Sequence, residues 1–208
     1  MTPGDKDALI IVDVQNDFCP GGGLEVAEGD QVVPLANRLA PRFGTVVLTQ
    51  DWHPADHLSF ASNHEDARPF EQIEVAYGQQ ILWPDHCIQG SKGAEFHPDL
   101  DTQRAELIIR KGFRKDIDSY SAFRENDGRT RTGLDGFLKE IGVERVFLLG
   151  LAYDVCVRYS AEDAAEAGYD TFVIEDACRA VGMEGAVEAT EKSFAERGIR
   201  RIQMEDFR

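Results

Sequence analysis

Closely spaced cysteine pairs, long apolar runs and a basic leader segment are all missing from this 208-residue sequence. Its four cysteines are Cys19, Cys87, Cys156 and Cys178. Because there is no CxxC pair and no export signal, they predict neither a disulfide framework nor a four-thiolate zinc site. No apolar run approaches the roughly 18 residues of a membrane-spanning helix, and the first residues lack a secretory pattern. These absences predict a soluble, cytoplasmic protein and leave a lone reactive thiol as an option.

Basic side chains are also scarce, with 22 lysines and arginines against 38 aspartates and glutamates and a formal net charge of -16. A nucleic acid or an anionic membrane surface would have to approach against this field, so neither is expected as a partner. With 42% apolar residues, the chain is long enough for one well-buried core and too short for two full-sized domains. We predict a single domain over residues 1–208.

Short, β-branched and almost continuously apolar runs recur along the chain and predict strands buried on both faces of a parallel sheet. They lie at residues 8–14, 45–49, 107–110, 146–149 and 171–174, with a weaker run at 201–204. Segments with helical spacing lie between most of them. This alternation predicts the α/β class, with an open, mainly parallel six-stranded sheet and helices on both faces in three layers. Residues 52–101 are polar, rich in proline and irregular, which indicates a misread element or a functional loop.

Reactive side chains follow the predicted strands at one edge of the sheet, where α/β proteins bind ligands. Asp13 closes the first strand, Asp51 follows the second, Lys111 follows the third and Cys156 lies just beyond the fourth. A thiol in the first turn of a helix predicted over residues 157–168 would have a lowered pKa, since the helix start favours the thiolate. The other interpretation of Cys156 is a buried thiol that acts as a small hydrophobe.

Asp13 and Lys111 supply the groups that a cysteine nucleophile needs, a carboxylate that shuttles protons and a cation that stabilises the thiolate.

Four of the five histidines fall in the irregular region, and they are His53, His57, His64 and His86. Asp51 and His53 are two residues apart, so an extended chain points both to one side, as two ligands of one ion require. For the third ligand His86 is the first candidate and His57 the next; the alternative is that these are surface polar residues. Two imidazoles and a carboxylate with open positions predict a catalytic zinc, manganese or iron site.

The segments that carry these residues form a recognisable series over most of the chain. The segments are Val12-Asp13-Val14-Gln15-Asn16-Asp17-Phe18, Gln50-Asp51-Trp52-His53-Pro54, His57-Leu58-Ser59-Phe60-Ala61, Trp83-Pro84-Asp85-His86-Cys87, Arg110-Lys111-Gly112, Tyr120-Ser121-Ala122-Phe123, Gly150-Leu151-Ala152 and Asp154-Val155-Cys156-Val157. In identity and order they resemble the nicotinamidase (pyrazinamidase) branch of the isochorismatase-like cysteine hydrolase superfamily. The Asp-x-His and Trp-Pro-x-His segments narrow the resemblance to this branch.

The resemblance implies a role for each matching residue. It implies a catalytic triad of Asp13, Lys111 and Cys156 and a divalent ion held by Asp51, His53 and His86. It also implies an oxyanion hole formed by the amides of Ala152 and Cys156, after a cis peptide before Ala152. The implied walls of the pocket are Phe18, Trp83 and Tyr120. Zinc is the first expectation for the ion, with manganese and iron as alternatives. The position of His57 binds metal in only some members, so it is not part of the expected ligand set.

The implied activity is the deamidation of nicotinamide to nicotinate and ammonia through a thioester, within NAD salvage, with pyrazinamide as a second substrate. The implied partner is this small molecule, and a homo-oligomer stays open. One alternative is a relative acting on a carbamoyl or ureido compound, which would need no ion at a ring nitrogen. Another is a non-enzymatic metal-binding or ligand-binding module, against which the intact Asp13, Lys111 and Cys156 argue.

Overall fold

The computed structural model describes residues 1–207. The strands are β1 (Asp7–Val12), β2 (Thr45–Asp51), β3 (Gln72–Val75), β4 (Gly78–Ile81), β5 (Leu107–Lys111), β6 (Arg145–Leu151), β7 (Asp170–Arg179) and β8 (Arg200–Ile202). The α-helices are α1 (Val32–Leu39), α2 (Leu134–Glu140), α3 (Arg158–Glu166) and α4 (Ala186–Arg197). No helix in the described part of the chain is long and apolar enough to cross a membrane.

Six strands form one parallel sheet in the order β5-β2-β1-β6-β7-β8. From β1 at the centre, the chain adds β2 and then β5 on one side. It then returns to the centre and adds β6, β7 and β8 on the other side of β1. The strand order therefore reverses between β1 and β6, and such a switch point opens a crevice at the carboxyl ends of the strands. The predicted α/β class with a six-stranded parallel sheet is confirmed.

Helices cover both faces of this sheet because the connections run in opposite directions from its centre. The connection from β1 to β2 contains α1, which packs on β6 and β7. The connections from β6 to β7 and on to β8 contain α3 and α4, which pack on each other. Since parallel crossovers are right-handed, the reversal of direction puts α1 on one face and α3 and α4 on the other.

The centre of the sheet is the driest part of the core. Every residue of β1 is buried, and Leu9, Ile10 and Ile11 have at most 1% of their surface exposed. Full burial of such a side chain contributes roughly 1.5–3 kcal/mol each, so the apolar runs stabilise the strands they predict. The strand ends at Val12, before the predicted end at residue 14, because Asp13 turns into the left-handed region with a φ of 48°.

The irregular region between β2 and β5 contains one element that the sequence did not predict. Strands β3 and β4 form a short antiparallel hairpin, separate from the main sheet. Its polar four-residue strands lack the apolar alternation that indicates a strand. In the rest of the region, isolated bridges between His53 and Ile88 and between Phe60 and Trp83 pair segments that are distant along the loop. These bridges bring distant parts of the loop to the crevice.

Candidate active site

The carboxyl ends of the central strands bring four reactive side chains together. Asp13 directly follows β1, and Asp51 and Lys111 are the last residues of β2 and β5. Cys156 lies in a π-helical turn, Tyr153–Val157, between β6 and α3. All four side chains are buried. The sequence expectation that these residues share one sheet edge agrees with this placement.

Lys111 is the centre of the cluster. Its Nζ lies 2.9 Å from Asp13 Oδ2 and 3.0 Å from Asp51 Oδ1. It also donates hydrogen bonds to the Ser119 carbonyl oxygen at 3.0 Å and to Cys156 Sγ at 3.5 Å. Burial favours neutral lysine, but Asp13 and Asp51 outweigh it and hold the pKa of Lys111 well above its ordinary value. The ammonium is therefore charged and joins the carboxylates to the thiol.

Asp13 is held so that its carboxyl group faces this ammonium. The Thr49 hydroxyl donates to Asp13 Oδ1 at 2.5 Å and accepts the Asp13 amide hydrogen at 3.0 Å. Burial raises the pKa of Asp13 above its ordinary 3.8, and the attraction of Lys111 offsets only part of this. A carboxylate with a raised pKa accepts a proton more readily, as a general base requires.

The thiol of Cys156 is less acidic than the sequence predicted. Burial raises its pKa well above the ordinary value; Lys111 lowers it, while the charge of Asp13 raises it further. The expectation of a lowered pKa was wrong in direction, because desolvation of the thiolate outweighs the nearby ammonium. These effects favour the thiol over the thiolate in the resting pocket. A nucleophilic role would need transfer of its proton during attack.

The turn that carries Cys156 differs from the expected start of an α-helix. The peptide between Leu151 and Ala152 is cis, as the resemblance implied. Beyond it, the Val157 amide donates to the Ala152 carbonyl oxygen at 3.0 Å, which closes a π-type turn ahead of α3. Ala152 and Cys156 both line the same pocket. The expected use of their amides as an oxyanion hole stays a prediction.

Asp51, His53 and His86 form a buried group whose ligand atoms all lie within 4.8 Å of one another. The Nε2 atoms of His53 and His86 face Asp51 Oδ2 at 3.0 and 3.4 Å. Nδ1 of His53 lies 2.8 Å from the Gly112 carbonyl oxygen, and Nδ1 of His86 lies 2.8 Å from that of Pro84. Because a carbonyl only accepts, each Nδ1 carries the hydrogen and each Nε2 faces the shared space. Two imidazoles, so oriented, and one carboxylate fit a zinc, manganese or iron ion.

Charge coupling within this group sets its protonation. Burial favours the neutral acid, but His53 and Lys111 hold the pKa of Asp51 well below 3.8. In return, Asp51 raises the pKa of His53 against the opposing effect of burial. The carboxylate is therefore ionised over the physiological range, as a metal ligand must be.

Gly112 leaves the space that the His53 ring occupies. Its φ is +65°, and a Cβ atom at this position would lie 2.4 Å from His53 Cε1 and 3.1 Å from Asp51 Oδ1. Both the left-handed backbone and the close approach of the ring require glycine. The residue after Lys111 is thus part of what positions the imidazole.

His57 lies beside the group but is engaged elsewhere. Its ring is tilted by 40° against that of His53, with the ring centroids 4.3 Å apart. Its Nδ1 lies 2.7 Å from Ser59 Oγ, and its Nε2 lies 3.3 Å from the Ile117 carbonyl oxygen. Burial lowers its pKa to about 4, and His53 adds to this shift. His57 also forms a second close group with His53 and Asp118.

One narrow pocket joins the thiol to the imidazoles. Trp83 and Tyr120 meet edge to face, with ring centroids 5.9 Å apart, and Phe18 lies 5.5 Å from His86 by the same measure. The three aromatic residues expected as walls therefore all lie at the pocket. The pocket is lined by Phe18, Leu24, Asp51, His53, Trp83, His86, Asp118, Ser119, Tyr120, Ala152, Val155, Cys156 and Val181.

Comparison with known proteins places the chain in a family. The isochorismatase domain matches residues 7–206. The chain belongs to the isochorismatase family. Within it, a curated nicotinamidase from Acinetobacter baylyi is 52% identical over 202 residues, which cover 97% of this chain and 94% of the relative.

Solved structures of the isochorismatase family share the whole architecture. The nicotinamidase/pyrazinamidase of Acinetobacter baumanii matches with a TM-score of 0.96 at 53% identity, over 98% of both chains. PnC1 of L. infantum, solved with nicotinate, has a TM-score of 0.88 at 38% identity, over 100% of this chain and 98% of its own. The pyrazinamidase of Pyrococcus horikoshii, solved with zinc, has a TM-score of 0.77 at 35% identity, covering 95% of this chain and 99% of its own.

Several pocket residues of this isochorismatase-family chain were missed in the sequence. Asp118 and Ser119 immediately precede the segment that begins at Tyr120, so extending that segment by two residues would have found them. Leu24 follows three consecutive glycines, a pattern typical of a flexible turn, and Val181 lies in a loop after β7. Neither carries a local signal, since an apolar loop residue has the same pattern whether it lines a pocket or the core.

Proposed function

We propose that this chain hydrolyses nicotinamide to nicotinate and ammonia by covalent catalysis at Cys156, assisted by Asp13 and Lys111. The amidohydrolase activity itself accords with family membership and with 52% identity to a nicotinamidase. The chemistry at named residues is our proposal. This proposal rests on the buried contacts of Lys111, whose Nζ lies 2.9 Å from Asp13 Oδ2 and 3.5 Å from Cys156 Sγ.

The pocket walls fit a flat aromatic amide. Phe18, Trp83 and Tyr120 would hold the ring by packing on its faces and edges and would exclude water from the carbonyl group. Asp51, His53 and His86 would hold one divalent ion, for which we propose zinc. When bound, this ion supplies a coordination position for the basic ring nitrogen and so orients the amide toward sulfur. Holding reactants in this way replaces a bimolecular encounter by a positioned one.

In the first half of the reaction, Asp13 takes the thiol proton as Cys156 Sγ attacks the amide carbon. The raised pKa of Asp13 suits this role, because the proton moves to a group that binds it well. The amides of Ala152 and Cys156 would stabilise the oxyanion, at about 3 kcal/mol for each donor in comparable sites. Asp13 then returns the proton to the departing nitrogen, which leaves as ammonia, and a thioester stays on Cys156.

In the second half, water attacks the thioester carbonyl carbon while Asp13 takes one of its protons. The same amides hold the second oxyanion, and the carbon–sulfur bond breaks as the proton passes to Cys156. Nicotinate is released and the starting protonation is restored. Lys111 stays charged throughout and stabilises whichever of Asp13 and the sulfur is anionic, since it contacts both.

Ammonia release tests this proposal. Nicotinamide and pyrazinamide are the positive substrates, and a ureido acid, which has no ring nitrogen, represents the alternative activity within the family. Cys156→Ala should abolish ammonia release from nicotinamide and still bind nicotinate. Cys178→Ala is the matched control, because Cys178 is also a free, buried cysteine but lies outside the pocket.

Two results would contradict the proposal. Ammonia release that persists in Cys156→Ala at a rate near that of Cys178→Ala would exclude a covalent role for Cys156. Faster turnover of the ureido acid than of nicotinamide would favour the alternative substrate.

Acid-quenched enzyme analysed by mass spectrometry should carry a nicotinoyl adduct on the peptide with Cys156.

A further inference from the structure

Asp17 has no contact with the triad, yet its carboxylate joins two distant backbone segments. It lies in the short 3-10 helix Asn16–Phe18 that follows β1. Asp17 Oδ2 accepts the Cys87 amide hydrogen at 2.7 Å, and Asp17 Oδ1 accepts that of Gly23 at 2.9 Å. A carboxylate that accepts from two backbone amides fixes both of them in place, and charge-assisted bonds of this kind are stronger than neutral ones.

The bond to Cys87 acts directly on the proposed metal ligands. Cys87 has a φ of +47°, a left-handed conformation that few non-glycine residues adopt without support. Its amide points to Asp17, its carbonyl oxygen accepts the His53 amide hydrogen at 3.0 Å, and its chain neighbour is His86. The backbone of Cys87 therefore links two of the three proposed ligands, and Asp17 holds its amide side.

Close packing leaves the Asp17 carboxylate one position. A Cβ atom on Gly93 would lie 2.0 Å from Asp17 Oδ2, so the bare glycine presses against the carboxylate. The Asp17 amide also donates to the Gly93 carbonyl oxygen at 3.0 Å, and its own carbonyl oxygen accepts the Leu24 amide hydrogen at 3.0 Å. Phe18, the next residue in the chain, and Leu24 both line the pocket. Asp17 therefore bonds both to the backbone beside the proposed metal ligands and to the backbone of the pocket wall.

We propose that Asp17 is a positioning residue that aligns His86 for the metal ion through the amide of Cys87 and fixes the pocket wall formed by Phe18 and Leu24. This inference rests on the proposed metal group of Asp51, His53 and His86. Partners that orient metal ligands from outside the coordination shell change metal affinity by about 10- to 100-fold when they are removed. Asp17→Asn keeps the shape of the side chain but puts an amide donor where one of the two backbone amides needs an acceptor.

A negative charge near a cation could by itself raise metal affinity, and a matched variant separates this effect from positioning. Asp85 is the residue before His86 and is exposed, and its carboxylate accepts a hydrogen bond from Ser62 Oγ at 2.5 Å. Asp85→Asn removes the same charge from the same loop but leaves the amide of Cys87 bonded to Asp17. Its zinc affinity should stay within about threefold of the unaltered protein, because exposed charges are screened.

The measurement is the dissociation constant for Zn²⁺ of metal-free protein, obtained by competition with a chromophoric chelator. We expect Asp17→Asn to bind zinc about 10- to 100-fold more weakly and, at saturating zinc, to have a raised KM for nicotinamide. Gly93→Ala should give the same direction of change, because its Cβ displaces the carboxylate from the other side. Unchanged zinc affinity in folded Asp17→Asn, even with a lowered melting temperature, would mean a merely structural role and overturn the inference.

Two further outcomes are decisive. Equal weakening in Asp17→Asn and Asp85→Asn would show that charge and not positioning matters, and would also overturn the inference. His86→Ala tests the metal group itself: if it keeps the affinity of the unaltered protein, the metal proposal fails and takes this inference with it. Loss of zinc in His86→Ala and retention in Asp17→Asn would reject the role of Asp17 alone.

Discussion

Removing the buried ammonium of Lys111 should destabilise the protein strongly, and the loss should depend on pH. In Lys111→Met the carboxylates of Asp13 and Asp51 lose a partner that lies 2.9 and 3.0 Å away. At an effective dielectric constant of 20, each of these attractions amounts to about 5–6 kcal/mol before the desolvation of the charges is subtracted. Breaking buried pairs by removing one partner leaves a net loss of about 3–5 kcal/mol. This is a large part of the roughly 5–15 kcal/mol by which domains are stable.

The direction of the pH dependence follows from the carboxylates. In the unaltered protein His53 and Lys111 together hold the pKa of Asp51 well below 3.8, so the stabilising effect of this carboxylate is present above pH 3.8 and is lost as the pH falls through the lowered pKa. Without Lys111, the pKa of Asp13, which burial already raises, rises further, whereas His53 still lowers that of Asp51. The variant therefore binds a proton at Asp13 more tightly when it is folded than when it is unfolded. Its stability therefore increases as the pH falls from 7 toward 4. The gap between the two proteins should be largest near pH 7 and should narrow on acidification.

Urea denaturation of metal-free protein at several pH values measures this gap. The matched control is Lys115→Met, because Lys115 pairs with Asp56 at 2.7 Å on the surface, where both side chains are more than half exposed. That variant should unfold close to the midpoint of the unaltered protein, since surface ion pairs contribute little. If Lys111→Met were no less stable than Lys115→Met, or if its deficit were the same at pH 5 and pH 7, the account of this charge cluster would be wrong.

Three other predictions concern the glycine, the thiol and the ion. Gly112→Ala should lose bound metal and nicotinamidase activity, because the added Cβ would meet the His53 ring. Gly142 also has a positive φ but has open space around it, so Gly142→Ala should lose only about 1–2 kcal/mol of stability. Equal metal content in the two variants would reject the steric argument. Alkylation of Cys156 should accelerate between pH 7 and pH 9 because burial raises its pKa, and a rate independent of pH would indicate a preformed thiolate. Chelation should lower both the melting temperature and the rate of ammonia release, and zinc should restore both, because binding to the folded state stabilises it.

The sheet could be predicted because its signal is local. Residues 8–14 and 45–49 are short apolar runs, and each became a strand of the parallel sheet. Strand ends then placed Asp13, Asp51 and Lys111 at one edge, since parallel strands present their carboxyl ends together. The hairpin of β3 and β4 could not be predicted in the same way, because its polar strands are stabilised by contacts and not by an apolar pattern.

The chemistry of the site depends on residues far apart in the chain. The order and type of residues in the segments around Asp13, Lys111 and Cys156 resemble one family closely enough to identify it and its activity. The pKa of Cys156 could not be predicted, since desolvation is the sum of everything packed around the sulfur.

The sequence by itself determined the fold class and the family and predicted the reacting groups, because all three depend on residue type and spacing. Only the tertiary structure decided that the thiol is buried, that Leu24 and Val181 line the pocket and that Asp17 bonds the amide of Cys87 across 70 residues of chain. The physical reason is that burial, charge coupling and hydrogen bonding act through space, and the chain must fold before residues distant in sequence can act on one another.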